Sequence, residues 1–320
     1  FQAEDGIRDL VRSRGLGDVY KRQDGIVVIP TETVYGLGGN AININSVSKI
    51  YSLKKRPKND PLICHTDSLD KILKYVKKIP ENAYKLAEMF WPGPMTIIFE
   101  KKYIIPNLTT SNLNTVAFRI PKKKITLELF KRLNFPVAAP SANIFGYISP
   151  TSIDHVYKNF SNGVDYILDG GDCKLGIEST IIGLNKNKIL VYRLGSLILN
   201  DLKKVSNIEL FDNQENYPGS FKSHYSPRKK LYIGDIKSLC KSHQDKKIGI
   251  LCFDKKYDYV DKKKQIVLSD KSCLNEASRN LYSSLYKLDN MKNVEIIVSS
   301  LLPNDFIGRT INDRLKKSAH

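Results

Sequence analysis

A chain of 320 residues with 41% hydrophobic content can bury a substantial core, and its length suits two medium domains better than one. It has no apolar run of the roughly 18 residues a membrane span needs, and no charged start leading into an apolar stretch with a small-residue cleavage site. Membrane spanning and export therefore have no support, and the expected location is cytoplasmic. The net charge of +18 invites a nucleic-acid reading, but the excess is mostly lysine spread along the chain beside many Asn and Ile, so at most a weak tRNA contact is expected.

Residues 1–23 carry no apolar periodicity that continues into the next segment and are expected to be a non-native leader outside the fold. From 24 to about 205, short apolar strands (GIVVIP, PLICH, MTIIFE, TVAFRI, FPVAAP, YILDGG, STIIGL, KILVYR) interleave with helical patterns at 46–54, 68–77, 81–90, 124–133 and 152–158. Strands outnumber helices, which predicts an α/β fold whose twisted sheet is mixed, with helices packed on it. Residues 206–229, rich in Asn, Asp, Gln, Pro and Gly, read as a linker, whose aromatic and basic motif at 217–225 is expected to act as a lid. From 230 to 320 strands and helices alternate, with helices at 274–288 and 307–317, as in a smaller Rossmann-like α/β domain; it lacks GxGxxG, so a dinucleotide role has no support.

In the first domain the strand GIVVIP runs directly into TETVYGLG, a set of hydroxyls, a carboxylate and glycines that reads either as a ligand pocket or as a capped tight turn. SVSKIYSLKKRP reads as a helix stopped by Pro57. The cations of its last turn either offset the helix dipole or, as Lys54 and Arg56 in a KxR pattern, face a phosphate chain. The period of two in TVAFRIP puts Thr115, Ala117 and Arg119 on one face, where Arg119 is either an ion-paired edge residue or a fork for a carboxylate. APSAN sets the small Ala139 and the rigid Pro140 before Ser141 and Asn143, which suits close approach of a flat ring or backbone, or simply a turn. Five cysteines (Cys64, Cys173, Cys240, Cys252, Cys273) without CxxC or Cys/His spacing read as reduced thiols, and scattered histidines give no protein-built metal site.

In this order and spacing, these segments together with WPGPMTIIF and GIESTII resemble the threonylcarbamoyl-AMP synthase family, whose catalytic unit is the YrdC-type domain. PGSFKSHYSP at 218–227 resembles the linker of its long two-domain form. The resemblance implies synthesis of threonylcarbamoyl-AMP and pyrophosphate from ATP, L-threonine and bicarbonate or CO2, with Mg2+ accompanying ATP. The product would feed a separate tRNA-modifying transferase complex. It further implies a catalytic tetrad of Lys54, Arg56, Ser141 and Asn143. ATP contacts would come from Arg56, Asp60, Thr115, Ser141, Ser149, Arg193 and His224, and threonine contacts from Thr33, His65, Arg119, Ala139 and Ser179. Gly183 departs from the family's pattern, where many relatives carry Asp. Two other readings are a non-catalytic RNA-binding YrdC-like module and carbamoyl transfer from carbamoyl phosphate; the second needs zinc-finger cysteine pairs that this chain lacks.

Overall fold

The computed structural model describes residues 24–160, 162–186, 188–211 and 224–319; the leader expected at 1–23 and the linker stretch 212–223, on which most of the lid motif falls, lie outside them. The first domain runs β1 (Ile26–Ile29), β2 (Gly36–Asn40), α1 (Ile44–Lys54), β3 (Ile63–His65), α2 (Leu69–Leu73), α3 (Glu81–Phe90), β4 (Met95–Glu100), β5 (Thr115–Arg119), α4 (Lys124–Lys131) and β6 (Val137–Ala138). It continues with α5 (Ile153–Asn159), β7 (Tyr166–Ile167), β8 (Thr180–Asn185), β9 (Lys188–Arg193), α6 (Leu199–Lys203) and β10 (Asn207–Leu210). Among the described residues these strands form one ten-stranded sheet in the order β10-β9-β8-β4-β5-β3-β6-β2-β1-β7. It is mixed, as expected: β3–β5 and β4–β8 are parallel, whereas β4–β5, β3–β6 and β1–β2 are antiparallel.

Local chemistry sets the elements that shape the cleft. Asn43 caps α1 by accepting from the backbone N–H groups of Asn45 and Ser46, which are otherwise orphaned in the first turn. The helix ends where Lys55 turns left-handed (φ 52°), and this reversal sends Lys54 and Arg56 in different directions. Val47, Ile50 and Tyr51 on its inner face join Leu37, Cys64 and Phe118 in the main core. The register of β3 on β5 pairs His65 with Arg119, so the polar ends of two core strands finish side by side.

Three segments depart from the sequence reading. GLGGN is the strand β2, paired on both edges; lacking side chains, it shows no alternation, yet a Cβ at Gly39 would collide with Ser46 Oγ, so the glycine is what lets α1 lie close. The helix expected at 68–77 stops at Leu73, and Val76 instead bridges to Lys101. The stretch 206–229 read as linker begins with β10, parallel to β9; it looks polar because an edge strand with an exposed face needs only Ile208 against the core.

The second domain comprises β11 (Lys230–Ile233), α7 (Ile236–Ser242), β12 (Ile248–Cys252), β13 (Gln265–Val267), α8 (Leu274–Asn290), β14 (Ile296–Ser299) and α9 (Gly308–Ser318). Its four strands lie in the order β11-β14-β12-β13, all parallel, which is the open sheet that the alternation predicts. Its core is not private. Leu281, Tyr282, Leu285 and Ile311 pack in one buried cluster with Val34, Ile148 and Ile177 of the first domain. Gly176 (φ 72°) makes this docking possible, since a Cβ there would stand 2.5 Å from the backbone oxygen of Arg279 in α8.

Candidate active site

A cleft with about 510 Å3 of atom-free space opens where the ends of β3, β5 and β6 meet the loop after β1 and the entry to β8. Thr33, His65, Arg119, Ala139 and Ser179, expected around an amino acid, all line it, as do Arg56, Ser141, Arg193 and His224, expected around a nucleotide. Val34, Ile63 and Glu178, to which no role was assigned, complete the wall with Pro140 and with Tyr225 from the end of the expected lid motif.

Arg119 is buried and fixed on three sides: Nη2 donates to Glu32 Oε1 at 2.7 Å, Nη1 to Thr33 Oγ1 at 2.8 Å and Nε to the Gly93 carbonyl at 3.2 Å. The ion-paired reading of this residue holds, although β5 lies between β4 and β3 rather than at an edge. Glu32 neutralises it, and a guanidinium has five N–H donors, of which three are used here. Glu32 is held in turn by the Lys122 amide at 2.8 Å. Beside Arg119, His65 is kept neutral, its pKa lowered to about 3 by burial and then by the Arg119 charge. Its Nδ1 is buried without a hydrogen-bond partner.

On the opposite wall, Arg56 is braced by its Nε on the Asp60 carbonyl (3.0 Å) and its Nη2 on the Pro61 carbonyl (2.9 Å) and the Asp60 carboxylate (2.8 Å). Arg193 grips Ser179, with Nη2 donating to both the carbonyl (2.8 Å) and the hydroxyl (3.1 Å), while Thr96 shares a hydrogen bond with that hydroxyl at 2.8 Å. His224 is held neutral by burial first, then by the neighbouring Arg56 and Lys54.

Five expected contacts sit elsewhere. Lys54 does not face the cleft: it is buried, and its ammonium donates to the Ser141 and Asn143 carbonyls at 2.6 Å each, so it fastens the APSAN loop from behind. Asn143 folds back in the same way, donating to the Ile144 and Tyr147 carbonyls at 2.8 Å. Asp60 is the counter-ion of Arg56. Thr115 lies at the far end of β5 from Arg119, about 13 Å away along an extended strand, and does not line the cleft. Ser149 lies beneath the wall, donating to Glu178 at 2.7 Å. Gly183, the departure from the family's pattern, has its place filled: a Cβ would stand 2.7 Å from the Tyr192 ring.

The mixed sheet's strand ends thus converge on a cationic, hydroxyl-lined cleft, with a second α/β domain packed against the rim. Comparison with known proteins makes this specific. A family described as "Telomere recombination" matches residues 20–195, and one described as "Threonylcarbamoyl-AMP synthase, C-terminal domain" matches residues 194–320. The threonylcarbamoyl-AMP synthase of Pyrococcus abyssi is 34% identical, covering 93% of this chain and 91% of that protein; the Bacillus subtilis one is 33% identical, covering 93% and 90%. The crystal structure of P. abyssi Sua5 complexed with L-threonine superposes with a TM-score of 0.84 at 34% identity, covering 95% of this chain and 92% of that one. The chain belongs to the threonylcarbamoyl-AMP synthase family in its two-domain form, and is an enzyme of the transferase class.

Proposed function

We propose that the chain makes L-threonylcarbamoyladenylate from L-threonine, bicarbonate or CO2, and ATP, releasing pyrophosphate. The observation that carries this reading is the gathering of Arg56, Arg119 and Arg193 around one cleft that also holds the Thr33, Ser141 and Ser179 hydroxyls. The two remaining N–H donors of Arg119 suit the threonine carboxylate, and Thr33 and Ser179 suit its polar groups. The L-threonine in the P. abyssi complex supports the same assignment. A neutral His65 beside the amino-acid site does not repel the substrate ammonium.

The amine of threonine, once deprotonated, attacks CO2 to give a carbamate. A carbamate oxygen then attacks the α-phosphorus, the bond to the β-phosphate oxygen breaks, and pyrophosphate leaves. What the protein must supply is positioning and stabilisation of phosphoryl charge, for which Arg56 and Arg193 are the candidates and Ser141 the hydroxyl donor. Lys54 acts one step back, holding the Ser141 loop. Glu178 is the carboxylate on the cleft wall, and its oxygens already accept from Ser149, Tyr282 and Arg314, so Mg2+ would arrive on the ATP phosphates and water as part of the substrate. The adenylate would pass to a separate transferase complex acting on tRNA.

A cytosolic site of action belongs to the same proposal. It is supported by cysteines that are all unbonded, and among the described residues no helix is long and apolar enough to cross a membrane. The test follows pyrophosphate release with ATP, bicarbonate and each amino acid in turn. Release that needs threonine and bicarbonate together is expected; release indifferent to the amino acid refutes the reading.

A further inference from the structure

Glu178, on the cleft wall, has its charge answered from the second domain. Its Oε2 accepts from Arg314 Nε in α9 at 2.9 Å and from the Tyr282 hydroxyl in α8 at 2.9 Å, while Oε1 accepts from Ser149 at 2.7 Å. Arg314 is fully buried, its Nη2 donates to the Leu194 carbonyl at 2.7 Å, its Nη1 bonds Asp313, and its guanidinium lies 4.8 Å from the centre of the Tyr225 ring on the cleft wall. Tyr225 is fixed further by α9 through Ser318, and His224 through the Lys317 carbonyl. Along α8, Tyr282, Tyr286 and Asp289 stand at i, i+4 and i+7. This single face grips Glu178, the Ile148 carbonyl and the Tyr147 hydroxyl in succession.

The arrangement has an electrostatic consequence. Burial opposes the ionised Glu178 carboxylate, and the charges of Arg314 and then Arg193 keep it ionised against that cost. Without Arg314, the buried carboxylate turns to Arg193, and Arg193 is drawn from its grip on Ser179 and from the cleft. Without the Tyr282 hydroxyl, Glu178 loses a directed bond and Ser149 loses its fixed acceptor.

We propose that Arg314 and Tyr282 are positioning residues for the nucleotide half of the cleft, acting through Glu178 on Arg193 and Ser149. The second domain is thus a structural part of the active site. This rests on the functional reading above, because Arg193 lines the side of the cleft expected to take ATP and Ser149 lies beneath it. Ser179 keeps a second partner in Thr96, so the amino-acid half is predicted to respond less.

The experiment compares full-length wild type with Tyr282→Phe, Arg314→Lys and Arg314→Gln. It measures KM for ATP and for threonine, kcat, and calorimetric affinity for a non-hydrolysable ATP analogue, with melting temperature as the folding control. Tyr282→Phe is expected to raise the ATP KM and the analogue Kd about five- to tenfold with less than a twofold change for threonine. Arg314→Gln should raise them tenfold or more, and Arg314→Lys should recover part of that loss. If Arg314→Gln does not fold, Tyr282→Phe and Arg314→Lys decide. Folded variants with wild-type ATP KM and analogue affinity, or with equal losses for both substrates, overturn the proposal. A wild type that binds the analogue but releases no pyrophosphate sinks the functional reading instead, and the analogue affinities still judge the positioning role.

Discussion

At the level of single residues, Arg119 shows how one side chain serves both the fold and the site. Its bonds to Glu32, Thr33 and Gly93 fix a planar fork at the cleft, which a lysine reproduces in charge but not in shape. Arg119→Lys should therefore raise the threonine KM roughly tenfold, the factor that about 1.4 kcal/mol of lost binding gives, and leave the ATP KM within twofold. Steady-state titration of each substrate checks this, and equal changes in both would contradict it. Lys54 makes the complementary case. Lys54→Met leaves the Ser141 and Asn143 carbonyls without their donor, which should cost about 1–3 kcal/mol of stability and lower turnover by loosening the Ser141 loop. Thermal melting alongside turnover reads both, and a melting temperature and turnover equal to wild type would contradict it. The sequence made Arg119 legible because strand alternation fixes which side of β5 it takes. The direction of Lys54 was not legible, since it depends on the single left-handed residue that follows it.

Between residue and domain, helices and strands were readable wherever their burial leaves a period. α1, α3, α4, α8 and α9 fall where apolar spacing places them, and β4, β5 and β8 are plain apolar runs. What escaped was β2, whose glycines carry no pattern, and β10, whose pairing to β9 rests on backbone hydrogen bonds rather than side chains. The end of α1 offers a test at this scale. Lys55 is exposed and sits at φ 52°, where a side chain is strained and glycine is not. Lys55→Gly should raise stability by about 0.5–1 kcal/mol, measured by denaturant midpoint at constant slope, without altering the positions of Lys54 and Arg56. A lower midpoint would show that the Lys55 side chain contributes more than its backbone costs.

Across the whole molecule, the docking of the two domains was invisible in the sequence because its parts are 104 to 142 residues apart: Glu178 meets Arg314 and Tyr282, while Tyr147 meets Asp289. The docking covers His155, and His65 and His224 are buried as well. His155 stacks on Tyr286 at 3.9 Å, with its pKa lowered to about 4 by burial and then by Lys158. His65 is lowered to about 3 by burial and Arg119, and His224 is lowered by burial and Arg56. In the unfolded chain each imidazole titrates near pH 6.5. Depressed folded values mean that the unfolded state binds more protons below that point. The stabilising contribution is therefore complete above pH 6.5 and is lost as pH falls toward 4 for His155 and toward 3 for His65. The slope is on the order of 1.4 kcal/mol per pH unit for each such histidine. Glu178, held below the usual carboxylate range despite burial by Arg314 and Arg193, adds a further loss once pH drops under about 4. Melting curves taken from pH 7.5 down to 4.5 should show a steep fall in melting temperature beginning near 6.5. His155→Phe, which keeps a ring against Tyr286 but cannot be protonated, should make that fall shallower while leaving the value at pH 7.5 little changed. A wild type as stable at pH 5 as at pH 7.5, or a His155→Phe profile parallel to it, would mean that these imidazoles are already solvated and that the domains are not docked as described.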